Sequence, residues 1–216
     1  MLKIGVLASG RGSNFQSIIN AVNSGRLKIG IAVLVTDNAS AFCIERAKKH
    51  GIPHIIMDPR KYSSREVYFS EISDILKSKS VGLVVLAGFM RIVGKPLIDA
   101  FPNRILNIHP ALLPSFPGLN GQMQALEYQV KISGCTVHFV DEGMDTGPII
   151  IQAAVPVSQD DTEETLADRI LSLEHQIYPE AIRLFSEGKI TVEGRRVTIK
   201  GYVAPDAYII NPPIQT

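Results

Sequence analysis

An α/β fold, doubly wound around a mostly parallel sheet with helices on both faces, is what this sequence predicts. Three observations carry the expectation. Short apolar runs alternate with helical patterns through the first half of the 216 residues, the strand–helix–strand repeat of right-handed crossovers. The run at 81–87 (VGLVVLA) is almost unbroken apolar, as a central parallel strand covered on both faces requires. Apolar residues make up 45% and charged residues 20%, a globular balance that argues against intrinsic disorder.

Residues 2–8 (LKIGVLA), 29–36 (IGIAVLVT), 54–57 (HIIM), 81–87 and 104–108 (RILNI) are the predicted strands of that half. Phe15, Ile18, Ile19 and Val22 recur at i, i+3, i+4 and i+7, the stripe of a helix laid on a sheet, and Gly25 is placed to stop it. Residues 40–50 form a second helix, with Ser40 to cap it and Gly51 to end it. Ser63-Ser64-Arg65-Glu66 reads as a capping box that opens a third helix through about Lys77. The second half changes character. Residues 110–118 (PALLPSFPG) hold three prolines, so an irregular loop follows a strand directly. Residues 135–140 (CTVHFV) and 148–157 (PIIIQAAVPV) then read as strands paired through DEGMDTG. Leu166, Ile170, Leu173 and Ile177 stripe a long helix starting near Thr162, which Pro179 is expected to end or kink. The tail ITVEGRRVTIKGYV, with Glu193-Gly194 between β-rich arms, reads as a terminal hairpin. With no internal repeat and no linker rich enough to separate units, one domain is expected.

Composition excludes several function classes. Lys+Arg 22 against Asp+Glu 21 leaves +1, so no broad basic face for nucleic acid follows. Cys43 and Cys135 are too few for a disulfide scaffold and lack metal-ligand spacing. The apolar stretch after Lys3 is too short for a signal peptide. No stretch approaches the roughly 18 apolar residues of a membrane span. A reduced, cytoplasmic protein without membrane or nucleic-acid partners is expected.

Three places carry chemistry. The first strand runs into Ser9-Gly10-Arg11-Gly12-Ser13-Asn14 and then into a helix. Such a turn presents backbone N–H groups and the positive helix end to an anion. The dinucleotide fingerprint would want a third glycine where Phe15 stands, and no acid follows at the usual distance on a matching strand end. That favours a single phosphate; the other reading is a tight connection using glycine for its backbone alone. Asn107-Ile108-His109-Pro110 lies at the carboxyl end of a predicted inner strand, the edge where open α/β sheets bind ligands. Alternation puts Asn107 and His109 on one face. An amide donor beside an imidazole suits a developing oxyanion; the plainer alternative is a hydrogen-bonded strand end. Asp145, in a turn-rich loop, is either an ordinary turn aspartate or a carboxylate that raises the pKa of His109 and orients its ring. His138 is a supporting residue. A Ser13/His109/Asp145 nucleophilic triad is rejected, because Ser13 sits in the anion turn and not in a G-x-S-x-G elbow. No His, Cys or Glu cluster has the spacing of a zinc site.

SGRGSNFQ at 9–16, LAGFMRI at 86–92, NIHPALLPSFPG at 107–118 and VDEGMDTGPII at 140–150 closely resemble the glycinamide ribonucleotide formyltransferases, a family of folate-dependent enzymes of purine synthesis. The resemblance runs from the first strand to about Tyr178. It implies a Rossmann-like formyltransferase fold in a single domain over 1–216. About 1–100 would form the phosphate-binding half, and about 101–216 the catalytic and folate-binding half with its C-terminal hairpin. It implies ribonucleotide phosphate on Gly12, Ser13 and Asn14, with Glu174 at the ribose; taken alone, Glu174 is equally a solvated helix residue. It implies a folate cleft at Met90, Arg91, Ile92, Val93 and Asn107, with Arg65 near the folate tail. Asn120 stands where relatives often carry another residue. The implied reaction moves the formyl group of 10-formyltetrahydrofolate, a co-substrate, to the primary amine of glycinamide ribonucleotide, without a metal. Asn107 and a protonated His109, kept charged by Asp145, would meet the developing oxyanion. Both small molecules would be the only partners of a monomer or homodimer.

Three rival readings are weaker. A formyl-folate hydrolase usually carries an additional N-terminal domain, for which a first strand at Leu2 leaves no room. A methionyl-tRNA formyltransferase needs a further C-terminal domain, and only about 60 residues follow Val157. A phosphate-binding regulatory module leaves Asn107, His109 and Asp145 without a purpose.

Overall fold

A computed structural model describes residues 1–204, 206–207 and 209–212; the end of the domain expected to run to 216 lies outside them. Five strands lie parallel: β1 (Lys3–Leu7), β2 (Gly30–Thr36), β3 (His54–Ile56), β4 (Leu83–Leu86) and β5 (Ile105–His109). Two antiparallel strands, β6 (Ile132–Phe139) and β7 (Ile149–Pro156), complete a seven-stranded sheet of order β3-β2-β1-β4-β5-β6-β7. The expected α/β sheet is present.

Strand alternation divides the apolar residues between two cores. Leu83 and Val85 face one side with Phe15 and Ile18 of α1 (Ser13–Asn23), Ala47 of α2 (Cys43–Lys49) and Leu166 and Ile170 of the long C-terminal helix. Val84 and Leu86 face the other, against Phe69, Ile72 and Leu76 of α3 (Arg65–Ser78) and Leu97 of α4 (Lys95–Ala100). All four β4 residues are buried, which is why that segment needs no polar face. Gly121–Glu127 forms α5, and Glu163–Ser186 forms α6.

Several boundaries differ from the sequence reading. α2 begins at Cys43 and not at Ser40, because Asn38 Oδ1 takes the Ser40 N–H in a turn. Gly10 O then accepts the Cys43 N–H. α3 is capped by Ser64, whose hydroxyl accepts the Val67 N–H, one residue later than the Ser63 box. β6 starts at Ile132, three residues before the predicted strand. Pro179 does not end α6: the turns beyond it bury Ala181, Ile182 and Leu184, which offsets the bond lost to the His175 carbonyl. The tail forms the hairpin of β8 (Ile190–Glu193) and β9 (Arg196–Ile199), with Gly194-Arg195 at its turn. α4 and α5 lie in segments to which the sequence pattern assigns no element.

Tyr178 of α6 ties the helix to the sheet at the end of β4 and the beginning of β5. Its buried hydroxyl lies 2.8 Å from Leu86 O and 3.0 Å from Leu106 O. Tyr178→Phe removes the one buried O–H that the two carbonyls share and is expected to cost about 0.5–1.5 kcal/mol. A lower urea midpoint at unchanged slope is the measurement that shows it; an unchanged midpoint would contradict this role.

Candidate active site

β5 ends between β4 and the antiparallel β6, and its pleat decides what meets there. Leu106 and Ile108 enter the core that holds α6; Asn107 and His109 turn to the opposite face. Cross-strand pairing sets Asn107 against His138. The Asp141–Gly147 loop between β6 and β7 then delivers Asp145. Asp145 holds a left-handed backbone at φ 55°, and a side chain at Gly147 would run into the Phe139 carbonyl. Asp141 Oδ1 closes the loop by accepting from Thr146 Oγ1 at 2.6 Å and from the Gly143 N–H at 3.1 Å.

Asp145 is the hub. One carboxylate oxygen accepts the Gly118 N–H at 2.8 Å and lies 3.4 Å from His109 Nδ1. The other is 3.5 Å from Asn107 Nδ2 and 3.6 Å from His138 Nε2. His138 Nδ1 lies 2.8 Å from Phe139 O and Nε2 lies 3.2 Å from Asn107 Nδ2. These bonds place the neutral ring's proton on Nδ1, so that Nε2 accepts from the amide. Burial pulls the Asp145 carboxyl upward, but the nearby His138 ring, the Gly118 N–H and the His109 ring together outweigh that. Its pKa is left below the ordinary carboxylate value.

His109 corrects an expectation. Burial is the largest influence on it and exceeds the opposing pull of Asp145 and of the Phe116 carbonyl, so its pKa falls below the usual value. The ring is only 4% exposed, and an imidazolium loses its hydration there. In the free protein His109 is therefore neutral at pH 7, not held protonated. Its Nε2, 2.8 Å from Phe116 O, carries the proton. The stability linkage reverses accordingly. As pH falls below about 6.5, the unfolded chain binds a proton that the folded chain resists, so stability present at higher pH drains away towards the folded pKa. An NMR titration of His109 is expected to give a midpoint below 6.5, lower still in Asp145→Asn. A midpoint above 6.5 would contradict the burial argument.

The glycine-rich turn forms the second part. Gly12 adopts φ 69° and caps α1. The first helical bond is from the Gln16 N–H to Gly12 O, which leaves the N–H groups of Ser13, Asn14 and Phe15 without helical acceptors. Asn14 donates to buried Glu174 at 2.7 Å, and Asn14 Oδ1 is buried without a partner. Glu174 is not a solvated helix residue: burial raises its pKa, and the Asn14 bond only partly opposes this. An acid does follow β2: Asp37 comes directly after Thr36. Arg91 Nε donates to one of its oxygens at 2.6 Å, and the other, Oδ1, is buried without a partner.

The loop after β4 is the third part. Met90 and Ile92 are exposed, as is Met144 beside Asp145. Lys95, at the start of α4, and Glu142, 3.0 Å apart, link that helix start to the Asp141–Gly147 loop. Val93 is buried and offers the cleft only backbone. Arg65 is occupied in donating to Ile92 O and Val93 O. The Ser9 N–H reaches Gly88 O at 3.0 Å, and its hydroxyl accepts the Met90 N–H at 3.0 Å. This loop is thereby tied to the glycine-rich turn. Asn120 adopts φ 59° to lead into α5.

The sequence reading missed Arg46. Its Nε donates to Arg11 O at 2.8 Å and Nη1 to Gln16 Oε1 at 2.9 Å, which stiffens the turn. Nothing in the local pattern RAKK signals that reach. Both thiols are buried; burial raises the Cys43 pKa and pushes Cys135 up to about 12, so neither supplies a thiolate. Among the described residues, no group of three His, Cys, Asp or Glu could hold a metal. No described helix is long and apolar enough to cross a membrane.

Comparison with known proteins follows this geometry. A family described as "Formyl transferase" matches residues 2–182. The chain belongs to the formyl transferase family. It is 44% identical over 183 residues to the phosphoribosylglycinamide formyltransferase of Bacillus subtilis, covering 85% of this chain and 94% of that one. Glycinamide ribonucleotide transformylase 1 from Symbiobacterium toebii superimposes with a TM-score of 0.91 at 55% identity, covering 92% of this chain and 94% of the other. The trifunctional purine biosynthetic protein adenosine-3 of Drosophila pseudoobscura pseudoobscura is 45% identical over 190 residues. That is 87% of this chain, which spans only 14% of the fly protein's length. The formyl transferase match places Asn107, His109, Asp145 and the glycine-rich turn inside the family region, and the β8–β9 hairpin beyond it.

Proposed function

We propose that this chain transfers the formyl group of 10-formyltetrahydrofolate to the primary amine of glycinamide ribonucleotide, a step of purine biosynthesis. The observation that carries this reading is the convergence on Asp145 of Asn107, His109 and His138. A glycine-rich helix start suited to a phosphate is tied to the same cleft. The exposed Met90, Ile92 and Met144 suit a flat apolar ring system. Ser13, Asn14 and Glu174 would hold the ribonucleotide, while the loop from Met90 to Val93 would hold the folate, with Arg65 bracing that loop.

When bound, 10-formyltetrahydrofolate supplies a formyl carbon activated towards an amine. The protein's part is electrostatic and protonic. Asn107 Nδ2 gives one N–H to His138 and only a long 3.5 Å contact to Asp145. That second N–H is free to meet negative charge developing at the reacting carbonyl. The neutral His109 and its Asp145 neighbour take up the amine's proton as a pair, because the carboxylate at 3.4 Å lowers the cost of forming the imidazolium. That proton passes to N10 of the folate as the bond from N10 to the formyl carbon breaks and tetrahydrofolate leaves. Neither buried thiol is needed, and no covalent enzyme intermediate follows from the site.

The test is tetrahydrofolate release from purified protein and 10-formyltetrahydrofolate, with and without glycinamide ribonucleotide. Release that requires the amine supports transfer. Equal release without it would make the site a hydrolase, and a requirement for methionyl-tRNA would make it a different transferase.

A further inference from the structure

The β8–β9 hairpin lies beyond residues 2–182, the region matching the family, yet its turn reaches the candidate active site. Arg195 Nη1 donates to the carbonyl of Thr146 at 2.7 Å. Thr146 follows Asp145 directly, and Asp145 is held at φ 55°, a left-handed backbone that an aspartate tolerates better than most residues but that still gains from being tied down. The hairpin has a firm footing from which to tie it. Its base is closed by the Lys200 N–H on Lys189 O, and the Lys189 N–H in turn reaches Leu184 O at the end of α6. Ile190, Val192, Val197 and Ile199 pack against the main core.

We propose that Arg195 is a positioning residue for Asp145. The hairpin is a strut from the end of α6 that fixes the Thr146 peptide, and with it the direction of the Asp145 carboxylate. This rests on the reading of Asp145 as part of a formyl-transfer site. The bond is one N–H to one carbonyl oxygen, so any donor of similar reach at position 195 fulfils it. Arg195 itself is exposed, so losing the bond alters placement far more than global stability.

The variants are Arg195→Met and Arg195→Lys. Arg195→Met is expected to lower kcat roughly tenfold, since small misplacements of a reacting group are costly. Both KM values and Tm should stay near those of the wild type. Arg195→Lys should recover most of the loss. A readout that needs no turnover is solvent exchange of the Gly118 amide, whose acceptor is Asp145 Oδ2; it should quicken in Arg195→Met and return in Arg195→Lys. Unchanged kcat and unchanged Gly118 exchange in Arg195→Met would overturn the proposal. So would a loss that Arg195→Lys does not restore, or one that comes with a fallen Tm. If the wild type transfers no formyl group but Gly118 exchange responds as expected, the brace stands and the functional reading falls.

Discussion

Asp145→Asn is expected to fold normally and lose on the order of 10²–10⁴-fold in kcat, the usual cost of removing a group that acts on developing charge. Asparagine keeps the size of the side chain, and its oxygen can still accept the Gly118 N–H. What vanishes is the negative charge beside His109 Nδ1. Without that charge a buried ring, already resistant to protonation, becomes a poorer proton acceptor. His109→Ala is expected to lose turnover by a similar factor. The losses in the double variant should not add, because the two groups act as a unit. Steady-state kinetics beside thermal unfolding measure this. Near-wild-type kcat in either single variant would remove the proposed mechanism.

Gly12→Ala is expected to strike stability before ligand binding. The backbone at φ 69° disfavours any side chain, and a Cβ there would stand 2.7 Å from Cys43 Cβ and 3.1 Å from Cys43 Cα. Left-handed strain and overpacking against α2 together should cost roughly 2–5 kcal/mol. A Tm lower by about 5–15 °C is the readout. Gly10→Ala is the matched control, since nothing lies within 4 Å of a Cβ at that position; its Tm should stay close to that of the wild type. Equal Tm values for the two variants would contradict the packing argument. A β-branched residue at position 12 therefore cannot separate loss of phosphate binding from loss of the fold.

What the sequence made legible was local. Alternation along RILNIH placed Asn107 and His109 on one face, and the unbroken run at 81–87 located the central strand. The long-range ties escaped: Ser9 to Met90 spans 81 positions and Arg195 to Thr146 spans 49, and no periodicity encodes which loops meet. The His109 error has a specific cause. The charge of Asp145 can be read from a sequence, but the desolvation of a ring 4% exposed cannot. Asp37 escaped although the strand expected over 29–36 ends beside it; its pairing with Arg91, 54 positions away, is what no local pattern shows. Pro179 misled because a propensity rule met a helix face still burying Ile182 and Leu184 beyond it.

The fate of the formyl carbon tests the central claim most directly. Purified protein would be given 10-formyltetrahydrofolate carrying ¹³C in the formyl group, together with glycinamide ribonucleotide, and the products read by NMR and mass spectrometry. The account predicts the labelled formyl carbon bonded to the nitrogen that was the primary amine of the ribonucleotide, one formyl per tetrahydrofolate released, with the rate lost in Asp145→Asn. Label that emerged as free formate, or a rate unchanged by Asp145→Asn, would contradict it.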